Sequence, residues 1–196
     1  PQLDFTGIGL GPLDISTPEN LVRSRQIICE RLKTMPDDKR DESLACMERR
    51  HGGAVRREDF PDYRPLDLAQ VQHLAEDPLI TIGAHTINHR ILSRMNPGDV
   101  EAEIGGGKSD LEKITGRPVR FFAYPNGRLA DINAAAVETA ARTFRAAVTT
   151  EAGFNRPGQN KYLLRRIGIG RTLPFGQFKV SVSGLYYLMQ PPFVLA

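Results

Sequence analysis

From Asp67 onward the chain alternates short β-branched or apolar runs with helical stretches, and this alternation restricts its fold more than any other feature. Leu79-Ile80-Thr81-Ile82-Gly83, Arg120-Phe121-Phe122-Ala123-Tyr124 and Ala146-Ala147-Val148-Thr149 read as strands, and Tyr162 to Ile167 as a fourth. Helices are expected from Asp67 to about Ala75, from Asn96-Pro97 to about Ile114 with Gly116 behind it, and over about Ala130 to Arg142. In the first, Gln70 completes a capping pattern with Asp67. Strands separated by helices pair in parallel, because each crossover returns the chain to the same edge of the sheet, so the expected class is α/β.

The chain before Asp67 is of a different kind and reads as mainly helical. Ser16-Thr17-Pro18-Glu19 combines a capping residue, a proline at the first helical position and an early acid. Leu21, Ile27, Ile28, Leu32 and Met35 recur as on a buried helical face until Pro36 ends the helix. A second helix is expected from Asp37 to His51, closed by Gly52-Gly53 and lying antiparallel to the first. An exposed loop follows from Ala54 to Pro65. Cys29 and Cys46 have neither zinc-knuckle spacing nor the density of a disulfide scaffold, so both are expected to be reduced, half-buried packing residues.

Composition excludes some functions. A net charge of +3 over 196 residues is too small to suggest nucleic-acid binding, and no window is apolar enough to form a transmembrane segment. No Asp or Glu follows Glu151, while Arg156, Lys161, Arg165, Arg166, Arg171 and Lys179 do. This reads as a solvated basic surface, with attraction to an anionic polymer as the functional alternative. The start, Pro1-Gln2-Leu3-Asp4, has neither an initiator Met nor a signal-peptide pattern. The natural N-terminus is therefore expected to have been removed, which leaves the compartment open.

Two segments carry the chemistry. In Gly83-Ala84-His85-Thr86-Ile87-Asn88-His89, two histidines four residues apart follow a strand, where α/β sheets place their ligands. They converge on one metal if the backbone curls there, but catalytic zinc generally has three protein ligands, so the pair alone is an incomplete site. Phe121-Phe122-Ala123-Tyr124-Pro125-Asn126-Gly127-Arg128 runs from an apolar strand into a sharp turn that can aim a backbone N–H at an oxyanion. A third segment, Ala102 to Ser109, satisfies a loose phosphate-loop pattern but lies inside an expected helix instead of opening one. Its glycines are expected to weaken or kink that helix. His51 and His73 read as ordinary surface residues.

Together these two segments resemble the polysaccharide deacetylases, the NodB-homology family. The family's His-Ser/Thr-x-x-His motif is matched by His85 to His89, and Phe122 to Gly127 stands as a variant of its next motif. Thr81 to Ala84, Ile91 to Ser93, Gly116 to Val119, Val148 to Glu151 and Leu164 to Ile167 look similar too, so the likeness covers about residues 66 to 172. The resemblance implies part of a distorted (β/α) barrel and removal of acetyl groups from a glycan. It implies His85 and His89 as ligands of a divalent metal, zinc foremost, with Thr86 bracing their loop. It also implies that the backbone N–H of Asn126 faces the oxyanion and that Tyr124 and Pro125 shape a sugar groove. The family's Thr-Phe-Asp-Asp-Gly motif, source of the base and third ligand, is absent here, and no histidine follows His89 to serve as general acid. Arg166 or Arg165 is a candidate for orienting a carboxylate or substrate.

The expected layout is a helical lead-in or insertion over 1–66, a deacetylase-like β/α region over 67–172 and a C-terminal extension over 173–196. The expected function is metal-dependent deacetylation of an N-acetylated carbohydrate, weak or absent in this chain alone. The alternative is a non-catalytic glycan-binding or scaffold protein on the same fold. An exposed sheet edge is expected to favour self-association.

Overall fold

The computed structural model describes residues 1–51, 64–170 and 172–184, and the side chains of all of these except Asp37 and His51. The expected Gly52-Gly53 stop, nearly all of the Ala54–Pro65 loop, Arg171 and the aromatic tail with Pro191-Pro192 lie outside the described residues. The chain divides into two compact units, Pro1–Pro65 and Leu66–Ala196.

The first unit is less helical than its sequence suggests. It opens with an antiparallel hairpin of β1 (Gln2–Asp4) and β2 (Pro12–Asp14), in which Leu3 faces Leu13. A 3-10 turn over Thr6–Ile8 joins them and ends at Gly9, whose φ of 75° glycine adopts without strain. The strands are three residues each, too short for a recognisable alternation, which is why pattern reading misses them.

Helix α1 (Pro18–Thr34) begins where expected, with Thr17 Oγ1 accepting from the Asn20 amide at 3.1 Å. Ser24 Oγ donates to Asp14 O and Arg31 Nε to Ile8 O, so α1 is tied to the hairpin by polar contacts. Helix α2 (Asp37–His51) rests on the 3-10 turn. Helix α1 packs on β2 of the hairpin and α2 on the turn that joins its strands. The expected buried face is corrected. Leu21 is 54% and Ile27 36% exposed, and Ser24 is the residue of α1 that is buried. Cys29 and Cys46 are both exposed, which corrects the half-buried packing role expected for them.

The second unit is α/β. Helix α3 (Leu68–Glu76) starts in a reciprocal capping box between Asp67 and Gln70. Helix α4 (Pro97–Thr115) is capped by Asn96 and closed by Gly116 in the left-handed region. A parallel sheet follows in the order β3 (Phe121–Ala123), β4 (Ala146–Ala152), β5 (Leu164–Arg166). Helix α5 (Ala134–Thr143) connects β3 to β4. It starts later than expected, because Leu129–Asp131 forms a 3-10 turn and Asn133 supplies the cap. Helix α6 is Phe175–Ser183.

The expected strand at Leu79–Gly83 is absent. Pairing is confined to Ala84, whose N–H donates to Phe121 O and whose carbonyl accepts from Ala123 N–H, both at 2.9 Å. β-Branched residues extend a backbone, but a strand also requires a neighbour in register along its length. Here Leu79 is 93% exposed. Below the sheet, Phe122 stacks on Phe144 and meets Tyr124 edge-on, while Val100, Ile104, Ala136 and Ala140 seal the core from α4 and α5. This two-layer packing holds the C-terminal ends of the parallel strands on one edge, where α/β proteins place their sites. The architecture is that of part of a (β/α) barrel.

Candidate functional site

Ala84 ends its short pairing at that edge, and His85 is the next residue. The loop after it cannot continue the sheet or start a helix, so its amides need other acceptors. Side chains supply them. Thr86 Oγ1 accepts from His89 N–H at 3.0 Å. Glu103 Oε2, from α4, accepts from Ile87 N–H at 3.1 Å and Asn88 N–H at 2.9 Å. Asn88 Nδ2 donates to the other Glu103 oxygen at 2.6 Å. Thr86 and His89 adopt φ of 63° and 54°, an uncommon region for residues with a side chain.

This backbone brings the two imidazoles together, with ring centroids 4.7 Å apart and planes at 76°. Both residues are exposed. His85 Nδ1 lies 2.6 Å from Ala123 O. A carbonyl only accepts, so Nδ1 carries the proton and Nε2 presents its lone pair away from the strand, the tautomer a metal-binding histidine uses. Partial burial of His85 lowers its pKa, opposed by the Ala123 bond and aided by the charges of His89 and Arg166.

The second segment meets this one across the sheet edge. Tyr124-Pro125-Asn126-Gly127 leaves β3, with φ of 56° at Asn126 and 73° at Gly127. Asn-Gly is the dipeptide that best tolerates two successive left-handed residues. Thr150 of β4 holds the turn from both sides, its Oγ1 donating to Asn126 O and its N–H to Gly127 O, each at 2.8 Å. A Cβ on Gly127 would lie 2.9 Å from Tyr124 O, so the turn closes only around glycine. The Asn126 N–H has no acceptor among the described residues.

Tyr124 and Pro125 are not groove walls in this structure, which corrects the expectation for both. Tyr124 is 1% exposed and donates its hydroxyl to Tyr162 O at 2.9 Å, and burial pushes its phenol pKa up. Tyr124 follows Phe122 by two residues, so the strand's pleat turns both to the core. Pro125 is also fully buried. Arg166, at the end of β5, donates Nε–H to Thr149 O and lies close enough for its charge to act on His85.

Glu103, Gly107 and Thr150 were not legible as site-supporting residues. The Gly105-Gly106-Gly107 run reads from the sequence as a weakness in the helix, although a glycine inside a helix can also have a packing reason. Lys108, the lysine of the phosphate-loop pattern, lies within α4 and donates to Thr143 O while its ammonium sits over Phe144. Among the described residues, no group of three or more His, Cys, Asp or Glu side chains is placed to hold a metal ion. Both imidazoles fit a transition metal in residue type, and His85 also in tautomer, but they make only part of a coordination shell.

A parallel sheet whose carboxyl edge carries paired imidazoles beside a Pro-Asn-Gly turn makes this unit an α/β fold with its candidate site at the strand ends. Residues 52–144 match the model of the polysaccharide deacetylase family. YxkH of Bacillus subtilis (strain 168), assigned to the polysaccharide deacetylases, is 27% identical over 126 residues, covering 60% of this chain and 44% of that protein. Two solved structures are similar in fold. One is a polysaccharide deacetylase from Bacillus cereus, with TM-score 0.55 and 26% identity, covering 64% of this chain and 39% of that one. The other is the Streptococcus pyogenes deacetylase PplD in complex with acetate, with TM-score 0.52 and 25% identity, covering 68% and 54%. Over residues 52–144, just under half of its length, the chain is thus similar to the polysaccharide deacetylases, a family of hydrolases. The chain spans less than half the length of the curated relative.

Proposed function

We propose that this chain carries the imidazole and oxyanion side of a metal-dependent carbohydrate deacetylase site, acting on acetamido groups of a glycan. One observation carries the reading: His85 presents a free Nε2 beside His89, because Ala123 O fixes the proton on Nδ1. His85 and His89 would hold a divalent cation, zinc foremost. When bound, such an ion acidifies water and polarises an acetyl carbonyl. Thr86 orients His89 through its amide, and the Asn126 N–H is available to donate to developing negative charge on the carbonyl oxygen. Arg166, beside His85, would orient a carboxylate or the substrate. A third ligand and a general base must come from carboxylates not assigned to this site, so turnover by the chain alone is expected to be slight.

The test is zinc binding by calorimetry together with acetate release from a chitin-type oligosaccharide, for the wild type and for His85→Ala/His89→Ala. Stoichiometric zinc uptake lost in the double variant supports the reading. Robust deacetylation by the 196-residue chain would overturn the prediction of slight turnover. Sugar binding unaffected by chelator or by the double substitution would instead identify a non-catalytic glycan-binding protein.

A further inference from the structure

The mid-helix glycines of α4 and the buried carboxylate one turn before them have a common neighbour. Glu103 is 6% exposed, yet its carboxylate points at the loop between the two histidines and takes three of its N–H groups. Gly107, on the next turn of the same helix face, is buried beneath Thr86. A Cβ there would stand 2.8 Å from the Thr86 carbonyl carbon and 2.9 Å from its oxygen, both backbone atoms that cannot swing aside. Gly105, two residues earlier, has nothing within 4 Å of its would-be Cβ.

Helical propensity alone would disfavour all three glycines alike. Their surroundings separate them. Gly107 lets the loop backbone lie directly on the helix, and Glu103 then captures the amides of Ile87 and Asn88. Thr86 Oγ1 takes the next amide, that of His89. Three successive N–H groups are thereby satisfied only while Thr86 and His89 keep their left-handed φ values, and those values set the ring-to-ring distance.

We infer that Glu103 and Gly107 form a seat on α4 that positions His85 and His89 for a shared cation, Glu103 being a positioning residue that touches neither substrate nor metal. The inference deepens the functional reading above and rests on it for the identity of the ligand. The geometry of the seat can be tested without that reading.

The experiment compares the full chain with Glu103→Ala, Glu103→Gln, Gly107→Ala and Gly105→Ala by imidazole NMR and by Co2+ titration, at a temperature where each is folded. Wild type and Gly105→Ala should show an inter-ring nuclear Overhauser effect between His85 and His89. Glu103→Gln should too, because its amide oxygen still accepts from Ile87 and Asn88. Glu103→Ala and Gly107→Ala should lose it and bind Co2+ about 10- to 100-fold more weakly, the usual cost of removing a group that orients metal ligands. A merely structural role predicts otherwise, since Gly107→Ala improves helix propensity just as Gly105→Ala does. An inter-ring effect that persists in folded Gly107→Ala or Glu103→Ala overturns the inference. If Glu103→Ala does not fold, Gly107→Ala decides. Failure of the wild type to bind Co2+ would refute the metal reading, while the ring-to-ring effect would still judge the seat.

Discussion

The Nδ1 atom of His85 sits 2.6 Å from the carbonyl oxygen of Ala123, so the residue that ends the β3 pairing also sets the tautomer of the first imidazole. Partial burial holds this ring's pKa below its ordinary value of 6.5. The neutral ring therefore persists below pH 6.5, where an unfolded histidine protonates. Between the folded and unfolded values the unfolded state binds more protons, so stability is full above about pH 6.5 and falls as pH drops below it. Thermal melts across pH 5 to 8 should show this decline in wild type and a shallower one in His85→Gln. Equal slopes would remove the link between the ring's burial and its proton affinity.

Tyr124 separates a packing role from a substrate-binding one. Tyr124→Phe removes the hydrogen bond to Tyr162 O and should cost about 1 kcal/mol in urea unfolding. Tyr124→Ala should cost about 3–5 kcal/mol, as for other large aromatic truncations. Glycan affinity of the folded Phe variant should match wild type. A large loss of affinity at unchanged stability would restore the groove role.

The oxyanion turn depends on glycine at Gly127. Gly127→Ala should destabilise by more than the roughly 1–2 kcal/mol that a left-handed L-residue costs, because the new Cβ also meets Tyr124 O. Thr150→Val keeps the shape of the threonine but removes the bond to Asn126 O, and should cost about 1 kcal/mol. In the Val variant, amide exchange at Gly127 should quicken relative to Ala123. Unchanged exchange would show that the turn holds itself.

The stretch before Ala84 predicts association. Only Ala84 of this stretch pairs with the sheet among the described residues, and Leu79 and Ile80 are exposed. Exposed apolar backbone without a sheet partner pairs with other chains unless a charge interrupts it. Light scattering should show mass rising with concentration, and Ile80→Lys should suppress the rise. A monodisperse monomer at high concentration would contradict this.

What could be read in advance was local. The caps at Thr17, Asp67 and Asn96, the stop at Gly116 and the strand beginning near Phe121 are written in neighbouring residues, because capping and turn chemistry act over three or four positions. The same holds for the two segments that form the site edge. The β1–β2 hairpin escaped because its strands are three residues long. The strand expected at Leu79–Gly83 failed because extended propensity does not supply a partner.

The capped helices α1, α3 and α4, the β3–α5–β4 succession and the residue types at the sheet edge were thus determined by the sequence itself, through periodicity and short-range hydrogen bonding. Only the tertiary structure decided that Tyr124 turns inward, that Cys29 and Cys46 lie in solvent and that Glu103 reaches the histidine loop. Those outcomes depend on contacts between residues far apart in the chain. Nothing in its neighbours distinguishes a buried Glu103 from an exposed Glu101; what distinguishes them is the loop that α4 carries against one face.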